Sequence, residues 1–552
     1  MKPLSGKTGI GVSNFRFAAV LLFVVLNLTV FFLRAASVWR YGALFTAGSA
    51  ASVIYPVWKA VHHLPVYGWP LSYPFSLAMY NYLFYSVYAL FLRVAGVAGA
   101  GTLIWGSLFT AVFALAGALA QWKLVEAHLH LRGLRSALSL ALALGLWSCT
   151  SIVRSYALSI RPDIAAVAMV MIALCLAVRQ PRFGFAGAGL FFYLAWAFKQ
   201  SAVLSLVGVC LFLLFSKRWR DLGAVAAVFA VLTAATLLLG TAQYRYNILL
   251  APRIMSVFSW RQLLWIAPKT LIANAYWVLA PAALLLTASA RRADPAVRLL
   301  ISAFAVALAA GVAGMARTGA WDHYLLEAFA SGSTVLQMAV FLAPGGLVSA
   351  LLLFACLQPG VQAATVPSGD HPHPFGTVGI ATPTEYASAV AIRDRLAAMK
   401  KPIFTTDPVF SLPWYSNGNR APALVIDTIF HDATRARCQN GCVEGMLQRG
   451  EIPTVMLPAA AASAAPAGQE SAARRPAAAA IGLLKKLLGG GGSQASLYPG
   501  VRSDAIYRQS MSPDYKLVGE YRHAGGMWNL YALSPQAPEA GNATGQTSAG
   551  AH

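Results

Sequence analysis

Apolar runs of roughly 14 to 21 residues recur from Phe15 to Leu357, and most are long enough to cross about 30 Å of hydrocarbon as a helix. No other feature of the chain constrains its fold as tightly. In hydrocarbon every backbone N–H and C=O must be satisfied by the protein, and an α-helix does this within one segment. A large soluble helical core would need polar helix faces, which these runs lack. Composition agrees: 58% of the 552 residues are hydrophobic and 11% are charged, against about 25% charged in a soluble domain. The expectation is an all-α polytopic membrane bundle over residues 1–358.

Eleven spans fit the pattern, at about 15–34, 101–121, 136–153, 163–178, 183–199, 201–216, 222–240, 270–290, 297–316, 327–343 and 345–358. The last two are separated only by "APGG" and read equally as one re-entrant hairpin. The first, "FRFAAVLLFVVLNLTVFFLR", is longer than a signal-peptide core and reads as an uncleaved span. Lys2, Lys7 and Arg16 then hold the N-terminus in the cytoplasm. Four alternate connections, "WKLVEAHLHLRGLR", "RQPR", "SKRWRD" and "RRADPAVR", are short and basic, as cytoplasmic loops are. This topology accounts for most of the net charge of +23, which is scattered between spans and does not point to nucleic acid.

The opposite side receives a long first loop (35–100), "RSYALSIRPD", a short "KQ" turn, "TAQYRYNILLAPRIMSVFSWRQLLWIAPKT" and "MARTGAWDHYLLEAFASGS". The aromatic "YGWPLSYPFSLAMYNYLFYSVYALFLRV" in the first loop reads as a helix lying in the membrane interface. Past residue 358 acids appear. Short β-like runs, "KPIFTTD", "PALVID", "IPTVML", "YKLVGEY" and "WNLYAL", alternate with helical ones such as "PTEYASAVAIRDRLAAMK". They predict a small periplasmic α/β domain over 359–457 and 495–535. A low-complexity insert at 458–494 and a disordered tail at 536–552 complete the expected organisation.

From Met1 to Gln362 the chain has six carboxylates: Glu126, Asp163, Asp221, Asp294, Asp322 and Glu327. Glu126, Asp221 and Asp294 fall in the basic connections and read as solvated surface charges. Asp163, Asp322 and Glu327 face the other side, where ionisable groups at membrane depth are costly and mark function. Asp163 in "SIRPDIAA" reads either as a helix-start device paired with Arg161 or as a proton-transferring carboxylate beside a phosphate-binding guanidinium. Asp322 and His323 in "WDHYLLE" read as an N-cap with an interface histidine, or as a base with a phosphate-facing donor. Glu327 shares a helix face with His323. Lys199 and Gln200 sit at an outer rim, where a snorkelling lysine or an anion ligand both fit. Arg245 and Arg253, with Arg261 and Lys269, form an outside basic group suited to lipid headgroups in general or to one lipid phosphate.

No phosphate-loop glycine motif, GxSxG or paired CxxC is present, and no metal site is expected. Cys149, Cys175, Cys210 and Cys356 lie in apolar spans as small hydrophobes. Cys438 and Cys442 in "CQNGC" are expected to form a local disulfide outside the cytoplasm.

Four stretches carry a resemblance: "YPVWKAVHHLPVYGWPLSYPF" followed by the aromatic helix, "IRPDIAAVAMVMIALCLAV", "LAWAFKQSAV" and "GAWDHYLLE". With "IFTTDPVFSLPW" and "MLQRGEIPTVML" in the tail, their order resembles bacterial multi-pass glycosyltransferases of the GT-C class. That class includes the dolichyl-phosphate-mannose protein mannosyltransferases and the lipopolysaccharide-core glycosyltransferase group. The resemblance implies transfer of a hexosyl or pentosyl group from a polyprenyl-phosphate carrier, with no further cofactor, at the outer face of the bacterial inner membrane. The acceptor would be a glycan, lipid or protein. It also implies a catalytic acid in the first outside loop, yet residues 35–100 contain no Asp or Glu. Either Asp163, Asp322 or Glu327 has taken that role, or this chain is a non-catalytic relative that binds lipid-linked sugar or partner proteins. A transporter is the third reading; inverted repeats, which would favour it, are not evident.

Overall fold

A computed structural model of the chain describes residues 14–41, 51–72, 77–97, 101–150, 152–179, 183–256, 258–287, 294–317, 322–342, 346–364, 403–405, 424–425, 441–459, 503–523 and 526–534, with 391, 395, 434 and 437 singly. Lys2, Lys7, Cys438, the tail 536–552 and all but the first two residues of the 458–494 insert lie outside these.

The described residues up to 364 form a helical bundle. It comprises α1 (Asn14–Tyr41), α2 (Ala51–Val61), α3 (Tyr82–Val94), α4 (Gly101–Leu129), α5 (Leu134–Cys149), α6 (Arg154–Ala157), α7 (Pro162–Arg179), α8 (Gly184–Phe198), α9 (Leu204–Phe215) and α10 (Trp219–Leu239). There follow α11 (Ala242–Arg245), a π-turn, α12 (Ala251–Met255), α13 (Trp260–Ala273), α14 (Ala275–Val278), α15 (Ala280–Thr287), α16 (Pro295–Gly314), a 3₁₀ turn (Asp322–Leu325), α17 (Leu326–Leu342) and α18 (Gly346–Ala364). Among the described residues six helices are long and apolar enough to cross a membrane, and further expected spans appear as shorter apolar helices.

The expected span 270–290 is not straight. Two helical pieces meet at Asn274 with a bend of 80°. Asn274 turns its side chain back on the helix, donating from Nδ2 to Thr270 O (2.8 Å), while Trp277 Nε1 donates to Asn274 Oδ1 (2.9 Å). Helix α3 is amphipathic: Phe84, Tyr85, Tyr88 and Leu92 are buried against the bundle and Leu90 and Val94 are exposed. Tyr88 O–H pairs with Thr110 Oγ1 of α4 at 2.6 Å.

Close packing rests on small residues, as helix association in lipid requires. A Cβ on Gly208 of α9 would stand 2.5 Å from Ala303 Cα of α16, so only glycine admits this approach. At the centre, Gln121 Nε2 donates to Gln337 Oε1 (2.7 Å), Trp147 Nε1 donates to Gln121 Oε1 (2.8 Å) and Gln337 Nε2 donates to Ser139 O (2.7 Å). These fully buried partners fix the register of α4, α5 and α17.

The contacts also sort the helix ends. His128, near the end of α4, pairs with Asp294 at the start of α16 (2.9 Å), and Arg16 in α1 donates to Val340 O near the end of α17 (3.0 Å). The basic connections therefore gather at one end, with the start of α1. The starts of α7, α9 and α17 and the end of α8 gather at the other.

The five β-like runs form one sheet of order β2-β1-β3-β5-β4, from Ile403–Thr405, Leu424–Val425, Thr454–Pro458, Tyr515–His523 and Gly526–Leu533 as β1 to β5. β1 runs parallel to β2 and β3, and β5 is antiparallel to both β3 and β4. Helices α19 (Cys442–Gln448) and α20 (Ser503–Ser510) share a core with it, through Phe404, Val443, Leu447, Val455 and Tyr507.

Candidate active site

Pro162 starts α7 because its missing N–H falls where a helix has no use for one, and its fixed φ suits the first turn. Asp163 follows, near the positive end of the helix dipole. Its side chain is 0% exposed and carries two ion pairs: Oδ2 accepts from Arg161 Nε at 2.8 Å and Oδ1 from Lys199 Nζ at 2.5 Å. A buried carboxylate left alone would cost several kcal/mol. Here both oxygens are engaged. Arg161 is presented by a tight turn whose N–H reaches Ser159 O (2.8 Å). Lys199 stands where the chain leaves α8 in extended conformation. Two cations on one carboxylate leave the triad a net charge of +1.

The second half comes from the other end of the sequence. Asp322 opens the 3₁₀ turn before α17, and its Oδ1 accepts from Tyr156 O–H at 2.5 Å. The guanidinium of Arg161 lies 4.9 Å from the centre of the same Tyr156 ring. His323 packs edge-on to Tyr156 (6.2 Å) and against Tyr324 (4.6 Å), and among the described residues its buried Nδ1 has no hydrogen-bond partner. Glu327 sits one turn further along and is buried. Its Oε2 accepts the amide of Ser205 (2.8 Å), a free donor in the first turn of α9. Asp163, Lys199, Ser201, His323, Tyr324 and Glu327 line a small cavity that is partly open to the surface.

The structure thus unites Arg161, Asp163, Lys199, Asp322, His323 and Glu327. Gln200 is adjacent, with Nε2 donating to Met79 O (2.7 Å) and a buried Oε1 that has no hydrogen-bond partner among the described residues. Arg161 and Asp322 belong to the cluster but do not line the cavity, and Arg245 and Arg253 belong to neither. Arg245 is exposed and its Nη1 binds Leu237 O and Gly240 O, both at 3.1 Å, closing the carbonyl end of α10; Arg253 is exposed in α12. Asp163 makes the helix-start ion pair with Arg161 that one of its two sequence readings expected. Cys442 is disulfide-bonded; its expected partner Cys438 lies outside the described residues. Among the described residues no group of three His, Cys, Asp or Glu is arranged to hold a metal ion.

Four site residues escaped the sequence: Tyr80, Tyr156, Tyr324 and Ser205. Tyr80 belongs to the acid-free first loop and accepts Arg161 Nη2 at 3.2 Å. Asn81 beside it donates to Trp196 O (2.9 Å), which ties that loop to α8. With 21 tyrosines in the chain, residue type alone could not single these out.

Fold and site define a polytopic membrane protein with a carboxylate–cation cluster and a cavity at one end of its bundle. The same fold occurs in the crystal structure of ArnT from Cupriavidus metallidurans bound to undecaprenyl phosphate (TM-score 0.57, 12% identity, 93% of this chain and 97% of that one). It also occurs in ArnT from that organism in the apo state (TM-score 0.54, 12% identity, 94% and 99%). At this identity the likeness is one of fold. No protein-family model and no curated protein matches the sequence.

Proposed function

We propose that this protein is a glycosyltransferase of the bacterial inner membrane, moving a sugar from a polyprenyl-phosphate carrier to an acceptor hydroxyl on the periplasmic face. The observation that carries the reading is the cationic Arg161–Asp163–Lys199 triad beside a cavity that also meets His323 and Glu327. Undecaprenyl phosphate bound to ArnT, which shares the fold over nearly its whole length, supports a lipid phosphate as the group those cations serve. Asp322 would take the acceptor proton as the acceptor oxygen bonds to the anomeric carbon. The bond from that carbon to the phosphate oxygen breaks, and polyprenyl phosphate leaves. Lys199 and Arg161, held in place beforehand by Asp163, would stabilise the charge that builds on the leaving phosphate. Asp322 suits the base better than Asp163: among the described residues it accepts one hydrogen bond from a neutral phenol, whereas Asp163 has a cation on each oxygen.

The basic helix connections lie at the opposite end, which supports a cytoplasmic N-terminus and a periplasmic site and sheet domain. A periplasm-active reporter fused after His552 should give signal, and a cytoplasm-only response would invert the assignment. The chemical test is release of polyprenyl phosphate by the purified protein in lipid, supplied with polyprenyl-phosphate hexoses and pentoses and envelope acceptors. If no such sugar is transferred while the lipid phosphate still binds, the non-catalytic reading, favoured by the acid-free first loop, replaces this one.

A further inference from the structure

Tyr156 is 1% exposed in the four-residue helix α6. Its hydroxyl donates to Asp322 Oδ1 at 2.5 Å, its ring faces the Arg161 guanidinium at 4.9 Å, and its edge meets His323 at 6.2 Å. One side chain therefore touches three residues of the cluster, reaching from "RSYALSIRPD" to a stretch 166 residues later. We propose that Tyr156 is a positioning residue that aims the Asp322 carboxylate while keeping it out of direct ion pairing. This rests on Asp322 being the base.

The contrast with Asp163 supplies the reason. A carboxylate close to cations tends to be taken into bidentate pairing, as Asp163 is with Arg161 and Lys199. Paired in that way it is neutralised and held. A phenol donates one directional hydrogen bond without adding charge, so it fixes the rotamer of Asp322 and leaves its negative charge available. The Tyr156 ring meanwhile occupies the face of Arg161, an arrangement that favours the cation and sets its plane. Base and phosphate-facing cation are thereby referred to one rigid group. A displacement of about 1 Å at such a site is enough to lower turnover roughly 10²-fold.

Tyr156→Phe keeps the ring, and so the Arg161 and His323 contacts, and removes the hydroxyl. Its expected result is a kcat lower by about tenfold or more with the KM for the polyprenyl-phosphate sugar within about twofold. Added to Asp322→Asn, the same change should alter the residual rate less than twofold, because both act on one group. A purely structural tyrosine would lower both variants alike. If Asp322→Asn abolishes turnover while Tyr156→Phe keeps full kcat, the positioning role is overturned and the base stands. If Tyr156→Phe raises the donor KM at unchanged kcat, the residue works through Arg161 and the proposal also fails. Full turnover in Asp322→Asn would instead remove the base assignment itself. Should Tyr156→Phe fail to insert, 3-fluorotyrosine at this position alters donor strength at nearly constant shape. A changed kcat at constant KM then supports the proposal, and an unchanged kcat overturns it.

Discussion

The two ends of the helical bundle hold three carboxylates each, and they use them in opposite ways. At the basic end, Glu126 pairs with Lys123 (2.8 Å) and Asp221 with Arg218 (2.7 Å), both three residues away on the same helix or its approach. These side chains are 24% and 34% exposed. Asp294 caps α16, accepting Ala296 N at 3.0 Å, and is the one acid of this end with a distant partner, His128. At the other end, Asp322 and Glu327 draw Tyr156 and Ser205 from distant sequence, and Asp163 joins the neighbouring Arg161 to the distant Lys199. Residue type is the same. Local pairs near water contribute little and can be exchanged. Pairs assembled from several helices at membrane depth are hard to exchange, because each partner is left buried when the other is removed.

The comparison predicts a graded series of substitutions. The largest effect belongs to Asp322→Asn, which should insert and bind polyprenyl phosphate yet turn over about 10² to 10⁴ times more slowly. Full activity in this variant would erase the distinction between the ends. Next comes Asp163→Asn, which removes the buried carboxylate that Arg161 and Lys199 share. A loss of about 3–5 kcal/mol is expected, read as a lower thermal midpoint in detergent. Adding Lys199→Met should restore part of that midpoint; no recovery would mean the triad is not the stabilising unit.

Asp294 tests the basic end through pH. Burial pushes its carboxyl up, but the hydrogen bonds from His128 and from the α16 amides outweigh this and hold it below its ordinary value. Its contribution is therefore present above the ordinary aspartate range near pH ~3.9 and is lost as pH falls through the lower folded value. Asp294→Asn keeps a capping oxygen but removes the charge that faces His128 and the start of α16, so it should melt earlier than the parent at pH 7 by up to about 1 kcal/mol, and the two should converge at acid pH. A gap that stays constant with pH would assign the effect to packing instead. The smallest effect is expected for Lys123→Ala, which removes a part-exposed i,i+3 pair and should change stability by less than about 1 kcal/mol, measured in the same melts. A larger change would show that the basic end, too, is tightly coupled.

How much of this was legible in the sequence depends on the range of the interaction. The apolar runs announced the helices, since spanning length is a property of a continuous segment. All five short β-like runs proved to be strands of one sheet. Scarcity of acids picked out Asp163, Asp322 and Glu327, because a carboxylate at membrane depth is expensive wherever it stands. Arg161 and Lys199 were legible as candidates for the same reason. The break at Asn274 was not, since it depends on a side chain turning back onto its own helix.

Sequence by itself thus determined that this chain is a multi-pass helical bundle with a small sheet domain, and which few charged residues lie outside its basic connections. Only the tertiary structure decided what each of them meets. It gave Asp163 two cations and Asp322 a neutral phenol, placed Glu327 on the start of α9, and left Arg245 on the carbonyls of α10. The physical reason is that a charge is costly to bury according to its own chemistry, which sequence displays, whereas what compensates it is set by which helix ends meet, and those contacts join residues as far apart as Tyr156 and Asp322.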